Sequence, residues 1–213
     1  MPDQSDDRVT IPADGVELEG KLVVPAGATG LVVFAHGSGS SRTSPRNTYV
    51  AASLRRRGLG TLLFDLLTEA EDRAYDRRFD IDLLTSRLLT ATEWFRDRET
   101  TQSLRVGYFG SSTGAAAALR AAARLGDEVG AVVSRGGRVD LAASALPDVR
   151  APTLFVVGGA DTEVLELNRA ASADLTCENE LAVVDGAGHL FEEPGALDAV
   201  AEHAGAWFER HLS

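Results

Sequence analysis

The chain has 213 residues, of which 44% are hydrophobic and 25% are charged, proportions typical of a globular protein rather than of a disordered or fibrous chain. Its formal net charge of −11 at pH 7 opposes nucleic-acid binding, because phosphate groups would meet a repulsive field. The single cysteine, Cys177, excludes an intrachain disulfide and a multi-cysteine zinc site. We expect one domain over residues 1–213.

No segment of the sequence predicts membrane insertion or export. The longest strongly apolar run, residues 31–35, is far shorter than the ~20 residues that a membrane-spanning helix needs. The N-terminal sequence MPDQSDDR is acidic and polar, and it lacks the basic start and apolar stretch of a secretory signal. We therefore expect a cytoplasmic protein with no membrane partner, and the sequence leaves its oligomeric state open.

Hydrophobic patterning predicts strands that alternate with helices along the chain. Strands are predicted at residues 9–11, 16–24, 31–35, 61–65, 104–109, 129–134, 153–157 and 181–184. Helices are predicted at residues 46–57, 81–95, 115–124, 163–174 and 197–212. The pattern indicates an α/β protein whose mostly parallel central sheet is covered by helices on both faces.

Two connecting segments complete this prediction. Residues 67–78 are highly charged and are expected to form an exposed loop or an irregular helix. Residues 135–152 are too few for a cap domain, although a short helix would fit. In a sheet of this kind ligands bind beyond the carboxyl ends of the strands, so the residues that follow strands are the candidates for a functional site.

The sequence Gly110-Ser111-Ser112-Thr113-Gly114 follows one predicted strand and opens a predicted helix. This G-x-S-x-G pattern in this setting predicts a nucleophile elbow, a sharp turn that exposes its central serine. The helix N-terminus beneath it favours developing negative charge. Ser112 is therefore the candidate nucleophile, ahead of Ser111 and Ser38. The alternative is that Ser112 is only a small residue in a tight turn.

A serine hydroxyl needs a base to take its proton, and that base needs a carboxylate to orient it. His189, in the glycine-rich loop after the last predicted strand, is the candidate base, and Asp161, after the preceding strand, is the candidate acid. The order Ser112, Asp161, His189 is the one expected for an elbow of this type. Two alternatives stay open: Asp161 could cap the helix that follows it, and Glu163 or Asp140 could be the acid.

The oxyanion of an acyl-transfer intermediate needs hydrogen-bond donors. The expected donors are the backbone N–H groups of Thr113, next to the nucleophile, and of Ser38, in the HGSG loop that follows a predicted strand. His36 is expected to shape that loop rather than to transfer protons. His203 and His211, on the last predicted helix, are expected to be solvated.

Two arginines are candidates for anchoring the substrate. Arg42 follows the HGSG loop and Arg135 follows the strand at residues 129–134, so both are expected on the Ser112 side of the sheet. A planar guanidinium can bind a substrate carboxylate through two hydrogen bonds. The alternative is that these arginines pair with nearby carboxylates of the protein.

The motifs HGSGSS, GYFGSSTGAAAA, GGADTEV and DGAGHLFEEPG resemble those of the α/β-hydrolase superfamily, and within it of small dienelactone-hydrolase-like serine hydrolases. The resemblance covers residues 16–213 and implies an α/β-hydrolase fold without metal or organic cofactor. Dienelactone hydrolases are similar but carry a cysteine nucleophile, whereas the elbow of this chain holds Ser112 and Cys177 lies elsewhere.

The expected activity is hydrolysis of a carboxylic ester of a small soluble substrate through an acyl-enzyme. One alternative is a thioesterase or acyltransferase with the same triad, and another is a non-catalytic small-ligand-binding module. The sequence contains neither a phosphate-binding G-x-x-x-x-G-K-[ST] loop nor an H-E-x-x-H pair, which disfavours nucleotide-dependent and zinc enzymes.

Overall fold

The computed structural model describes residues 7–213, and eight strands within them form one sheet. The strands are β1 (Asp7–Ala13), β2 (Val16–Val23), β3 (Gly30–Ala35), β4 (Gly60–Phe64), β5 (Arg105–Ser111), β6 (Val129–Arg135), β7 (Thr153–Gly158) and β8 (Asn179–Val184). Their order across the sheet is β1-β2-β4-β3-β5-β6-β7-β8. β2 runs antiparallel to β1 and β4, and every other neighbouring pair is parallel.

Helices cover both faces of this sheet. The α-helices are α1 (Pro45–Arg56), α2 (Glu69–Asp72), α3 (Ile81–Arg96), α4 (Thr113–Leu125), α5 (Thr162–Asp174) and α6 (Ala196–Leu212). One core lies between the sheet and α1 with α6, and a second lies between the sheet and α3, α4 and α5. Strands β3, β4 and β7 are buried along their whole length, as expected for parallel strands covered on both faces.

The predicted fold class is confirmed: the chain has the α/β-hydrolase fold, with a mostly parallel sheet between two layers of helices. Each predicted strand and helix is present, and its ends lie within two residues of the predicted ones. The charged segment at residues 67–78 contains the single turn of α2 and most of a 3₁₀ helix, Tyr75–Phe79.

The connection between β6 and β7 is compact. It contains a 3₁₀ helix, Val139–Asp148, which packs against α4 and α5. No cap domain is inserted at this point, as the length of the connection predicts. Within the described part of the chain, no helix is long and apolar enough to cross a bilayer.

The expectation that both histidines of α6 are solvated is wrong for one of them. His203 is exposed, whereas the side chain of His211 is only 12% exposed. Its ring packs on that of Trp207, with a centroid distance of 4.5 Å, because residues four apart lie on the same helix face. Burial lowers the pKa of His211.

Candidate active site

Ser112 lies in a strained turn between β5 and α4. Its backbone angles are φ 50° and ψ −120°, a region that residues with a side chain rarely adopt. A Cβ atom at Gly110 would lie 2.4 Å from the Cα of Ala115, and one at Gly114 would lie 2.1 Å from the carbonyl oxygen of Ala35. Both glycines of the G-x-S-x-G sequence are therefore required by this turn.

The backbone of Ser112 is held by the segment that ends β6. Its N–H donates to the carbonyl oxygen of Arg135 at 3.2 Å, and its carbonyl oxygen accepts from the N–H of Arg138 at 3.0 Å. Hydrogen bonds therefore hold both peptide groups that flank the Cα atom of Ser112. Within residues 7–213, no side chain makes a hydrogen bond to Ser112 Oγ, and this includes His189.

His189 and Asp161 form a close pair at the carboxyl edge of the sheet. The Nδ1 atom of His189 donates to Oδ2 of Asp161 at 2.6 Å. Asp161 occupies the N-cap position of α5, but its side chain accepts no helix N–H, so the capping alternative does not describe it. This bond fixes Nδ1 as the protonated nitrogen and leaves Nε2 available as an acceptor.

The other acids considered from the sequence are placed differently. Asp140 accepts two hydrogen bonds from the Arg138 guanidinium, at 2.9 and 2.8 Å, and this pairing lowers the pKa of Asp140. Glu163 is exposed on the first turn of α5. Among the three candidate acids, Asp161 is the one in contact with His189.

The His189 ring lies against the same segment that holds Ser112. A Cβ atom at Gly136 would lie 3.4 Å from both Nδ1 and Cε1 of His189, and Gly136 directly follows Arg135, the hydrogen-bond partner of Ser112. The fold therefore brings Ser112, Asp161 and His189 to one edge of the sheet, as their positions after three parallel strands predict.

The HGSG loop lies against the turn that carries Ser112. A Cβ atom at Gly37 would lie 3.0 Å from the Cβ of Ser112. The N–H of Ser38 donates to Oγ1 of Thr113 at 2.9 Å, so this expected oxyanion donor already has a partner. The backbone N–H of Thr113, at the first residue of α4, has no partner within its own helix.

The buried side chain of His36 holds the HGSG loop in place. Its Nε2 accepts from the N–H of Leu66 at 3.0 Å, and its Nδ1 donates to the carbonyl oxygen of Gly37 at 3.0 Å. The side chain is buried, and burial lowers its pKa. His36 therefore joins the loop to the segment after β4, which agrees with the expected role in shaping the loop.

The two arginines predicted as anchors have different surroundings. The N–H of Arg42 donates to Asp65 Oδ1 at 2.7 Å, and its guanidinium pairs with Asp65 and with Glu19, the latter at 2.9 Å. Pairing with local carboxylates, the alternative reading, therefore describes Arg42. A cleft of about 270 Å³ beside this pair is also lined by His36 and Leu67.

Arg135 has no such carboxylate partner within the described residues. Its side chain is buried, and its Nε donates to Ser111 Oγ at 3.3 Å, while Ser111 Oγ donates to Asn47 Oδ1 at 3.1 Å. Burial, and to a smaller extent the charge of Arg46, lower the pKa of Arg135 to about 10. Sequence reasoning missed Asn47 and the contact between Ser111 and Arg135, because both depend on which elements the fold makes neighbours.

The candidate site includes neither a cluster of metal-ligating side chains among the described residues nor the cysteine. Within residues 7–213, no group of three or more His, Cys, Asp or Glu side chains is placed to hold a metal ion. Cys177 precedes β8 and so lies at the amino ends of the parallel strands, whereas Ser112 lies at their carboxyl ends. It is half-buried, and burial raises the pKa of its thiol.

Comparison with known proteins identifies the family. The model of the dienelactone hydrolase family matches residues 30–213, which is most of the chain. The chain belongs to the dienelactone hydrolase family. Its Ser112 stands at the elbow position at which the sequence resemblance implies a cysteine in dienelactone hydrolases themselves.

Solved and curated relatives extend this result. A dienelactone hydrolase from Anabaena variabilis is 54% identical over 99% of both chains, with a TM-score of 0.95. Est1E from Butyrivibrio proteoclasticus has a TM-score of 0.82 over 96% of this chain and 98% of its own at 16% identity, which supports the fold alone. A protein of Mycobacterium tuberculosis called a putative phosphoribosyl transferase is 55% identical over 99% of this chain. The chain spans about half (48%) of that relative's length.

Proposed function

We propose that this member of the dienelactone hydrolase family is a serine hydrolase that cleaves a carboxylic ester of a small soluble substrate. The observation that carries the proposal is the 2.6 Å bond between His189 and Asp161, made beside a serine held in a strained turn. Backbone strain of this kind persists only where the surrounding structure enforces it, and it is concentrated at functional sites. These features favour a catalytic centre over a ligand-binding module without turnover.

The proposed reaction has two halves. Ser112 Oγ attacks the carbonyl carbon of the ester while His189 Nε2 takes the hydroxyl proton. Asp161 keeps the imidazole in the required tautomer and stabilises the imidazolium that forms. The tetrahedral intermediate then expels the alcohol, which receives the proton from His189. In the second half, His189 takes a proton from water as the water attacks the acyl-enzyme. It returns that proton to Ser112 Oγ as the bond between Ser112 and the acyl group breaks and the acid leaves.

The proposed oxyanion donors are the backbone N–H groups of Thr113 and Ser38. Each such donor contributes about 3–4 kcal/mol to catalysis when it is aimed at the developing charge. The N–H of Ser38 donates to Thr113 Oγ1 in this structure, so this bond must be shared or exchanged when the oxyanion forms. The N–H of Thr113 needs no such exchange, and it lies at the N-terminus of α4, where negative charge is favoured.

The proposed substrate is a small ester taken from water. No cap domain separates β6 from β7, and the side chain of His189 is 39% exposed. The exposed fraction of His189 supports entry of a small substrate from solvent on this side of the site. We propose a cytoplasmic location on the sequence evidence, and we propose that catalysis needs no metal ion or organic cofactor.

A panel of nitrophenyl esters of increasing acyl length tests the proposal in wild type and in Ser112→Ala. The expected result is hydrolysis by wild type and a loss of kcat of at least about 10³-fold in the variant, with KM little changed. Residual activity above a tenth of wild type in Ser112→Ala would exclude Ser112 as the nucleophile. Adding an alcohol or a thioester to the same assay separates hydrolysis of oxygen esters from acyl transfer and thioester cleavage.

A further inference from the structure

Asn168 carries a fully buried amide in the middle of α5. Its exposed fraction is 0%, and its Nδ2 donates to two carbonyl oxygens, that of Val164 at 2.8 Å and that of Gly137 at 2.9 Å. The bond to Val164 is made within the helix, whereas the bond to Gly137 joins α5 to the segment that follows β6. One side chain therefore links two elements that both contribute to the candidate active site.

The orientation of this amide leaves one of its own groups unpaired. Oδ1 of Asn168 is buried and has no hydrogen-bond partner among the described residues, and a buried acceptor in that state costs stability. Turning the amide over would place Oδ1, which cannot donate, against the two carbonyl oxygens. The fold therefore keeps an unpaired acceptor in its core at the position where Nδ2 reaches the Gly137 carbonyl.

The Gly137 carbonyl belongs to the peptide group that holds the candidate nucleophile. The N–H of the same peptide group, that of Arg138, donates to the carbonyl oxygen of Ser112 at 3.0 Å. Because a peptide group is planar, a hydrogen bond to its oxygen also limits the rotation of its N–H. Asn168 is thus connected to the strained turn of Ser112 through one rigid group.

Close packing leaves this peptide group little room to move. A Cβ atom at Gly137 would lie 2.1 Å from Ser134 Oγ and 2.8 Å from the Cβ of Ala115, in the first turn of α4. Gly136, the preceding residue, has φ 52° and lies against the His189 ring. In a close-packed interior, a displacement of Gly137 would be passed to the nucleophile turn on one side and to the base on the other.

The helix that contains Asn168 also begins at the candidate acid. Asp161 is the N-cap residue of α5, and its carbonyl oxygen accepts from the N–H of Leu165 at 2.9 Å, so its backbone is part of the helix. About two helical turns separate the two residues. The bond from Asn168 to Gly137 therefore sets the position of the helix that starts at the acid relative to the segment that holds Ser112.

We propose that Asn168 is a positioning residue for the hydrolysis, which holds Asp161 at the start of α5 in register with the Gly137–Arg138 peptide group behind the nucleophile. This role rests on the proposed function of Ser112. Asn168 acts through other groups and not on the substrate, so its loss should change geometry rather than binding. A displacement of about 1 Å at reacting atoms can lower a rate about 10²-fold.

Asn168→Thr separates the two hydrogen bonds of the amide. A threonine hydroxyl in a helix reaches the carbonyl oxygen four residues earlier, as Thr85 does here with that of Ile81 at 2.6 Å. It is one bond shorter than the amide nitrogen, so we expect the variant to keep the bond to Val164 and to lose the bond to Gly137. The expected result is a kcat lowered about 10- to 100-fold, with KM changed less than about threefold.

Thr92→Val is the matched control. It also removes a buried hydrogen bond between two elements, the 2.6 Å bond between Thr92 in α3 and the hydroxyl of Tyr108 in β5. Both variants should lower Tm to a similar extent, but the control should keep kcat within about twofold of wild type. Hydrogen exchange of the Arg138 amide, measured by NMR, should be at least about tenfold faster in Asn168→Thr only.

A kcat of Asn168→Thr within about twofold of wild type, or equal losses of kcat in the two variants, would overturn the role of Asn168. Labelling of wild type with a fluorophosphonate distinguishes this result from a failure of the proposed function. Absence of an adduct on Ser112 would overturn both proposals, whereas an adduct together with an unchanged kcat in Asn168→Thr would overturn this one alone. If Asn168→Thr does not fold, Asn168→Ser makes the same test with a smaller side chain.

Discussion

Asp161 Oδ2 lies 2.6 Å from His189 Nδ1, although Asp161 occupies the N-cap position of α5, where an aspartate usually accepts a helix N–H. A capping bond typically contributes about 1 kcal/mol to stability, and this side chain forgoes it to contact the imidazole. The pair connects the end of β7 to the loop after β8. The orientation of the candidate base therefore depends on one carboxylate from a different segment.

Replacing that carboxylate should impair catalysis far more than folding. In Asp161→Asn the amide presents the histidine with the wrong hydrogen-bonding partner, so we expect kcat to fall by roughly 10³–10⁴-fold. Asp140→Asn is the matched control, because it removes another candidate carboxylate, one that pairs with Arg138, and it should lower kcat less than about threefold. Comparable losses in the two variants would show that the contact between Asp161 and His189 has no special role.

The elbow should not tolerate a side chain at Gly114. The added Cβ of Gly114→Ala would lie 2.1 Å from a backbone oxygen of β3, which cannot move without disturbing the central sheet. A cost of about 1–3 kcal/mol corresponds to a Tm lowered by roughly 2–12 °C for a chain of this size. Gly159→Ala is the control, since its Cβ would meet no atom closer than 3.4 Å. Equal melting temperatures for the two variants would contradict the packing described for the turn.

Stability should fall as the pH drops below neutrality. Burial lowers the pKa of His36 from an ordinary value of 6.5, so between its folded pKa and 6.5 the unfolded chain takes up a proton that the folded chain does not. The free energy of unfolding contributed by this residue is complete above pH 6.5 and decreases with falling pH, by at most about 1.4 kcal/mol per pH unit. Burial of His211 acts in the same direction.

Denaturant unfolding between pH 5 and 7 measures this dependence. In His36→Gln the free energy of unfolding should change less steeply with pH than in wild type, because one of the two buried histidines is gone. His203→Gln is the control, since His203 is exposed and should leave the slope unchanged. If His36→Gln shows the slope of wild type, the buried neutral state of His36 is not a source of the pH dependence.

The short connection between β6 and β7 predicts hydrolysis without activation at a lipid surface. Because residues 135–152 hold only a short 3₁₀ helix, no cap has to open at a lipid surface before the substrate reaches Ser112. The rate should therefore rise smoothly as the concentration of an ester passes the point at which it forms micelles. A sharp increase at that concentration would indicate a covering element that moves.

The sequence predicts the positions of the three candidate catalytic residues better than it predicts the partners of the charged residues around them. Periodicity identifies the strands, and the residues after them, Ser112, Asp161 and His189, meet because parallel strands end at one edge. The same argument predicted that both arginines lie on the Ser112 side of the sheet, but their surroundings differ. Arg42 pairs with Asp65, 23 residues away, whereas Arg135 pairs with no carboxylate in residues 7–213. Spacing cannot distinguish these outcomes, since they depend on which side chains the tertiary fold brings together.

His211 shows the same limit in a helix. Its position near the end of α6 suggests a solvated side chain, yet the ring packs on Trp207 one turn earlier. Asp161 is a further example, because its position before α5 is equally compatible with a cap and with a catalytic acid. The contact of His211 with Trp207 and the contact of Asp161 with His189 both depend on tertiary packing rather than on local sequence.

Labelling with a fluorophosphonate, followed by mass spectrometry of the peptides, tests the central claim most directly. The reagent phosphonylates an activated serine, so the account predicts a single adduct on Ser112 in wild type. It also predicts labelling slowed by at least about 10²-fold in His189→Ala, since the serine then lacks its base, and a normal rate in Asp140→Asn. Absence of an adduct, or an adduct on Ser111 or Ser38 instead, would contradict the assignment of Ser112 as the nucleophile.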